Sequence, residues 1–594
     1  MRRLLWLALL GLVLGACAIG GGGGDDQAVP DDCTVVDAAV SSEKIELLTE
    51  LARTFNDSDA ASEGGCTFVR VQSKASGGAE QLLERGWPDE ETNGPKPVIW
   101  SPAGSAWGGV LNHRLDERGE KAMAPADAEP FMLTPLVIAM PEPMARALGW
   151  PDEPIGYADL LALAQNPEGW ASKGHPEWGP FRLGKTNPNY STSALNATIA
   201  QYYAATGKTR DLTLEDINRP EVEEFARGVE SAVVHYGDIT MTFLNNWFRN
   251  DARGTALTYV SAVAVEEKSV IDYNQGNPDG ITDPGERPRE PRVKLVAIYP
   301  KEGTLFSDNP FFILDADWVD ADQRRGAQAF QEFVQQPENQ RKVLKFGFRP
   351  GNPRVKVDAP IVGRNGVDPD QPRTTLGIPE PAVLSGVIDK WGEQRKAARV
   401  LVVLDVSGSM GDPGAGDATK LDLAKQAAID ALEQFKPHDE VGLRVFTTEI
   451  GPAEHPDWID VVPIGPIGEQ REAMRNKIRD LTPVRGTPLY TTAVDAYEQM
   501  RDEYDPARIN AVVLLTDGKN EDNRNNDLEG TMTKLRAGSE GQSSTPVRLF
   551  TIAYGEDAAT APLQRMAEAT NAAAYNAQDP GTIDRVFTAV ISNF

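Results

Sequence analysis

The sequence predicts an α/β protein in which a two-lobed α/β module is followed by a doubly wound, Rossmann-like parallel sheet. Three observations carry this. Arg399 to Met410 reads RVLVVLDVSGSM and Ala511 to Gly518 reads AVVLLTDG, two all-apolar runs that each end in an aspartate. Runs of Val and Leu bounded by polar loops suit strands buried on both faces of a parallel sheet. From Thr34 to about Glu380 strand-like and helix-like segments alternate, as they do where helices cover mainly parallel sheets. At 594 residues the chain is too long for one core and suggests three or four compact units.

The elements follow in order. Arg2 and Arg3 precede an apolar stretch from Leu4 to Leu14, too short to span a bilayer and suited to the core of a signal peptide. Leu14 to Cys17 (LGAC) resembles the bacterial lipobox. That resemblance implies removal of residues 1–16, lipidation of Cys17, and tethering to the extracytoplasmic face of the cell membrane. Residues 17–32, with their glycine run, are then a flexible tether. Cys33 and Cys66 remain as an even pair in an oxidising compartment, where a disulfide is expected.

Residues 33–380 form the first module. CTVVDAAV is a strand, Glu43 to Phe55 an amphipathic helix, and CTFVRVQS and PKPVIWSP are further strands. FMLTPLVIAMP and the stretch near ALTYVSAVAV are extended segments that cross between lobes, and ADQRRGAQAFQEFVQQPENQRKVLKFGFRP supplies a helix pair. VDAAVSSEKIELL, GKTNPNYSTSALNATIA, YPKEGTLFSDNP and PENQRKVLKFGFRP together resemble the extracellular solute-binding proteins of ABC importers. The resemblance implies two lobes, the second at about 136–258, with a solute between them. In such folds helix N-termini and hydroxyls favour oxyanions. The matching positions are Ser41 and Ser42, Ser76, Ser101, and Tyr190, Ser191, Thr192 and Ser193. Each of these Ser and Thr also suits a plain helix cap. A small oxygen-rich solute, an anion above all, is the expectation.

Ile271 to Pro291 starts like a calcium loop, with Asp272, Asn274 and Asp283, but lacks the central Gly and the closing Glu, so it reads as a surface loop. A Pro-, Asp- and Gly-rich stretch to Pro381 ends the module, and residues 381–397 link it to the last domain, 398–594. There Leu421 to Phe435 is amphipathic, VGLRVFTT and PVRLFTIAYG are strands, and Glu469 to Leu481 is a helix.

Right-handed crossovers bring the strands ending at Asp405 and Asp517 to one sheet edge, where open α/β sheets bind ligands. Ser407 and Ser409 follow the first strand, and Thr487 lies in RGTPLY. These oxygens are hard donors that suit a small divalent cation. The set Asp405, Ser407, Ser409, Thr487, Asp517 resembles the metal-ion-dependent adhesion site (MIDAS) of von Willebrand factor type A (VWA) domains. The resemblance implies Mg²⁺ (or Mn²⁺ or Ca²⁺) held directly by Ser407, Ser409 and Thr487, with Asp405 and Asp517 acting through water. It also implies a protein partner that presents an acidic residue.

The net charge of -29 argues against nucleic acid or an anionic membrane surface as partner. Catalysis is not expected: the five His are scattered, and no HExxH, GxSxG or Walker pattern stands in a suitable context. The expected function is a membrane-tethered binding protein that grips a protein partner through a divalent metal. The alternative is the solute receptor of an ABC importer with a docking domain.

Overall fold

The computed structural model describes residues 29–30, 32–62, 65–282 and 287–594. Cys17 and residues 1–16, read above as a signal peptide, lie outside the described residues, as does Asp283. Among the described residues no helix is long and apolar enough to cross a membrane.

Three sheets organise the chain. In the first lobe the strand order is Phe312–Ile313, Ile99–Ser101, Thr34–Val40 and Thr67–Ser73, parallel except for the first. Helix Ile45–Asn56 covers it, with Leu47, Leu48, Leu51 and Phe55 buried at helical spacing against Phe330 and Phe333. Cys33 and Cys66 form a disulfide just before two strands whose first residues, Thr34 and Thr67, pair in register. Its 33-residue separation makes it worth about 3–4 kcal/mol in the chain-entropy account.

Strand Met132–Pro141 leads into the second lobe and its sheet, which adds Ala262–Glu266, Leu183–Thr186 and Val233–Gly237. The extended reading near ALTYVSAVAV is corrected at its start. Ala256–Tyr259 is a short helix, because the Tyr259 N–H donates back to the Thr255 carbonyl, and the strand begins only at Ala262. The loop reading of residues 271–291 is corrected likewise. Glu267–Gln275 is helical, and Asp272 ion-pairs one turn back with Lys268.

Helix Pro381–Gln394 joins the modules. Pro381 suits the first helical position, where its missing N–H leaves nothing unpaired. Val383, Leu384, Val387, Ile388 and Trp391 make one buried face. That face packs against Ala106–Glu117 of the first lobe and Thr192–Thr206, Leu214–Ile217 and Pro220–Ser231 of the second. One helix therefore braces both lobes.

The third sheet has the order Trp458–Pro466, Glu440–Phe446, Ala397–Asp405, Arg508–Thr516, Arg548–Tyr554, Ala574–Ala577, parallel apart from its antiparallel edge strand Trp458–Pro466. Val400 to Leu404 are almost fully buried. Burying each such side chain contributes about 1.5–3 kcal/mol. Chain order runs outward in both directions from Ala397–Asp405, so the strand that carries Asp405 stands at the topological switch point.

Candidate functional site

Backbone pairing sets the two aspartates side by side. Leu404 is in register with Leu515, so Asp405 adjoins Thr516 and Asp517 at the carboxyl edge. Asp405 Oδ1 accepts from the Ser407 N–H at 2.7 Å and Oδ2 from the Thr516 hydroxyl, which pins the carboxylate under the loop. Burial pushes the Asp405 carboxyl up to about 7 against those two hydrogen bonds, with Asp517 adding to the rise. A nearby cation would reverse that shift.

The remaining groups converge from three segments. The Ser407 and Ser409 Oγ atoms stand 3.1 Å apart, and Ser409 Oγ donates to Asp517 Oδ1 at 2.8 Å. Adjacent ligands of an octahedral ion at about 2.1 Å lie roughly 3.0 Å apart, so the two Ser hydroxyls have the spacing of neighbouring ligand positions and Asp517 backs one of them. Thr487 is held from its backbone: its carbonyl accepts from Glu521 N–H, and the Gly486 carbonyl before it accepts from Thr448 N–H. A Cβ at Gly518 would stand 2.8 Å from Thr487 Oγ1, so only glycine lets Thr487 reach this close. All five predicted residues thus come to one edge. Among the described residues no group of three or more His, Cys, Asp or Glu could hold a metal, so a metal here depends on the hydroxyls.

Lys420 was not legible as part of this edge. Its Nζ lies 2.9 Å from Asp517 Oδ2, and its side chain is 8% exposed. The pairing crosses 97 residues of sequence, and an amphipathic pattern says nothing about it.

The interlobe cleft opens to solvent and, with that open space counted, spans ≈ 520 Å³. Ser41, Ser42, Ser76, Tyr190, Ser191 and Thr192 line it as expected. Ser101 does not: its buried hydroxyl donates to the Pro310 carbonyl. Ser193 sits behind the lining, hydrogen-bonded to Ser191 and Thr240. Ser76 and Thr192 are bonded to each other across the lobes at 3.1 Å, with Trp107 Nε1 donating to Thr192. The Gly77 N–H also donates to the Tyr190 carbonyl, so the lobes are closed.

The expectation of an anion meets an opposing charge. Glu43, Glu266, Asp272 and Asp279 line the cleft; among the described residues no cationic side chain does, and buried Lys268 pairs with Asp272 from behind the lining. Lys44, the nearest buried lysine of the first lobe, turns to the Pro102 carbonyl and Asn309. Burial, with Glu43 close by, pushes Glu266 up to about 8.

The last domain docks through the edge opposite Asp405 and Asp517. Arg548, the first residue of its strand, donates to the Tyr236 carbonyl. Asn571 accepts from Asn246 and Asn250, and Glu540 pairs with His235. The hydroxyl-rich edge therefore faces away from this contact with the second lobe.

A two-lobed α/β module followed by a doubly wound domain defines the class, and comparison with known proteins agrees. The chain belongs to the bacterial extracellular solute-binding protein family, whose model matches residues 36–349, and a von Willebrand factor type A domain matches residues 400–589. An uncharacterized protein of Mycobacterium tuberculosis strain H37Rv is 21% identical over 578 residues, covering 95% of this chain and 76% of that one. Among solved structures, the sulfate-binding protein SubI of M. tuberculosis H37Rv is similar at 14% identity and TM-score 0.36, covering 60% of this chain and 97% of that one. A von Willebrand factor type A protein of Catenulispora acidiphila is similar at 23% identity and TM-score 0.28, covering 33% of this chain. The present chain spans only 42% of that structure's length.

Proposed function

We propose that this protein is a membrane-tethered extracytoplasmic binder whose VWA domain takes an acidic residue of a protein partner through a divalent cation. The observation that carries the reading is that Ser407 and Ser409 stand at ligand spacing, with Thr487 and Asp517 beside them above a buried Asp405, on an edge turned away from the second lobe. Ser407, Ser409 and Thr487 would hold the ion directly, with Asp405 and Asp517 behind it. Mg²⁺ suits that set, and Mn²⁺ or Ca²⁺ are substitutes. A bound cation would supply the positive charge and open coordination position that an incoming carboxylate takes; Ser407, Ser409 and Thr487 would position it, and Asp405 and Asp517 would balance its charge. No catalytic role is assigned. The test is a pull-down from cell-surface proteins with and without EDTA. Capture of the same partners in both would sink the metal reading.

The membrane tether rests on the lipobox-like LGAC segment. A metabolic lipid label should mark the wild type and be lost from Cys17→Ala. A label retained by Cys17→Ala would refute lipidation there.

For the solute module we propose a ligand that brings positive charge or donor groups, since the cleft offers carboxylates and hydroxyls. Thermal shift is expected with organic amines and little with oxyanions, because a ligand that binds only the folded state raises its apparent stability. Glu266 adds a pH signature. Its folded pKa lies near 8, above its usual value of 4.5, so it is largely neutral at pH 6 and ionised at pH 9. Amine binding should strengthen across that interval; stabilisation by sulfate or molybdate, weakening as pH rises, would reverse the assignment. The importer-receptor reading requires the lobes to part, and helix Pro381–Gln394 packs on both.

A further inference from the structure

Lys420 occupies a position that is costly on two counts. It is the first residue of helix Lys420–Ala431, where the helix dipole disfavours a cation, and its side chain is almost fully buried. The helix start has its own cap: the Thr419 hydroxyl accepts from Asp422 N–H. The backbone is separately fixed, with Lys420 N–H donating to the Asp412 carbonyl and Tyr554 Oη donating to the Lys420 carbonyl. Gly555 leaves the room the side chain needs, since a Cβ there would lie 3.2 Å from Lys420 Cε. None of these features requires an ammonium group. What the ammonium does is bind Asp517, and Asp517 divides its two oxygens: Oδ1 faces Ser409, and Oδ2 faces Lys420 at 2.9 Å.

We propose that Lys420 sets the charge of the metal edge, weakening its hold on the divalent cation and strengthening its hold on an incoming carboxylate. This rests on the metal reading given above. The count of charges gives the sign. With a cation holding Asp405 ionised, Asp405, Asp517 and Lys420 together count one net negative charge, so a divalent ion makes the edge positive and a partner carboxylate brings it to neutrality. Without the lysine the loaded edge is already neutral, and a carboxylate would carry it to a net negative charge. The ammonium and the ion bear on the same buried carboxylate, where charges are poorly screened. Removing Lys420 should therefore move the two affinities in opposite directions, which a residue that merely holds Asp517 in place would not do.

The experiment is Mn²⁺ titration of the full chain by calorimetry, comparing wild type, Lys420→Met and the charge-keeping Lys420→Arg. Lys420→Met is expected to bind Mn²⁺ on the order of tenfold more tightly. Lys420→Arg should stay within about threefold of wild type, since the charge remains. With Mn²⁺ saturating, acetate should displace bound water from the wild type, read as a fall in water-proton relaxation, and should do so less well in Lys420→Met. Should Lys420→Met not fold without metal, Lys420→Gln can still donate to Asp517 and carries the same expectation. If the wild type binds Mn²⁺ and the neutral variants bind it equally or more weakly, the charge-setting role falls and the metal reading stands. If neither the wild type nor any variant binds Mn²⁺, both fall.

Discussion

Asp517→Asn is expected to lower Mn²⁺ affinity by about 100-fold, the upper range for loss of a charged group behind the ligands of a metal. The substitution keeps the shape of the side chain and removes the charge. It also turns Lys420 from a partner of that group into an unbalanced cation beside the ion. Ser409→Ala separates the two effects: it removes one hydroxyl from the edge without altering charge, and about tenfold weaker binding is expected. The fold should survive Ser409→Ala, since the sheet beneath is built by Val400 to Leu404 and Ala511 to Leu515, all buried whatever the edge holds. Calorimetry with circular dichroism on the same samples checks both statements. Mn²⁺ affinity within about threefold of wild type for folded Asp517→Asn would show that this carboxylate does not serve a metal.

The second large effect lies at Glu230, where the two modules and the linking helix meet. Glu230 is fully buried and receives Lys185 Nζ, Gln201 Nε2 at 3.1 Å, Tyr236 Oη at 2.6 Å and Trp391 Nε1 at 3.2 Å. Burial alone would raise its pKa, but Lys185 and the hydrogen bonds outweigh it and hold the carboxyl below its usual range. Tyr236 Oη in turn accepts from Lys396 N–H, just before the first strand of the VWA domain, while Trp391 belongs to the linking helix. Glu230→Ala leaves Lys185 buried without its partner and is expected to cost about 3–5 kcal/mol. The first thermal transition should fall, and limited proteolysis should open the segment between Gln394 and Ala397. An unchanged melt and an unchanged digest would refute the assignment of this carboxylate as the joint. Because the folded pKa is depressed, the contribution is present above pH 4.5 and is lost as pH falls below it.

Much of this was legible before folding. The alternation of apolar runs and helical patterns located the two modules, and the strands ending at Asp405 and Asp517 placed their carboxylates at one edge, because parallel strands joined by right-handed crossovers leave no other arrangement. Ser407, Ser409 and Thr487 followed from motif and spacing. Helix starts near Ser42, Ser76 and Thr192 were also foreseen, though these residues open the helices rather than cap them. The third helix starts two residues before Ala194, and Ser41, Ala75 and Ser191 at the cap positions make no side-chain cap bond.

What the sequence could not carry was the direction of side chains between distant segments. Ser101 turned into the core and Ser76 spent its hydroxyl on Thr192, because closure of the lobes satisfies buried groups before a ligand does. Glu266 and Asp272 come from the helix and strand ends beyond the second lobe's expected limit, and only the crossing strands bring them into the cleft and reverse its charge. Local pattern thus determined the elements and the metal edge, whose parts are set by backbone register. Tertiary structure decided the charge of the cleft, the bracing helix and the pairing of Lys420 with Asp517, because those depend on side chains that meet across long sequence separations.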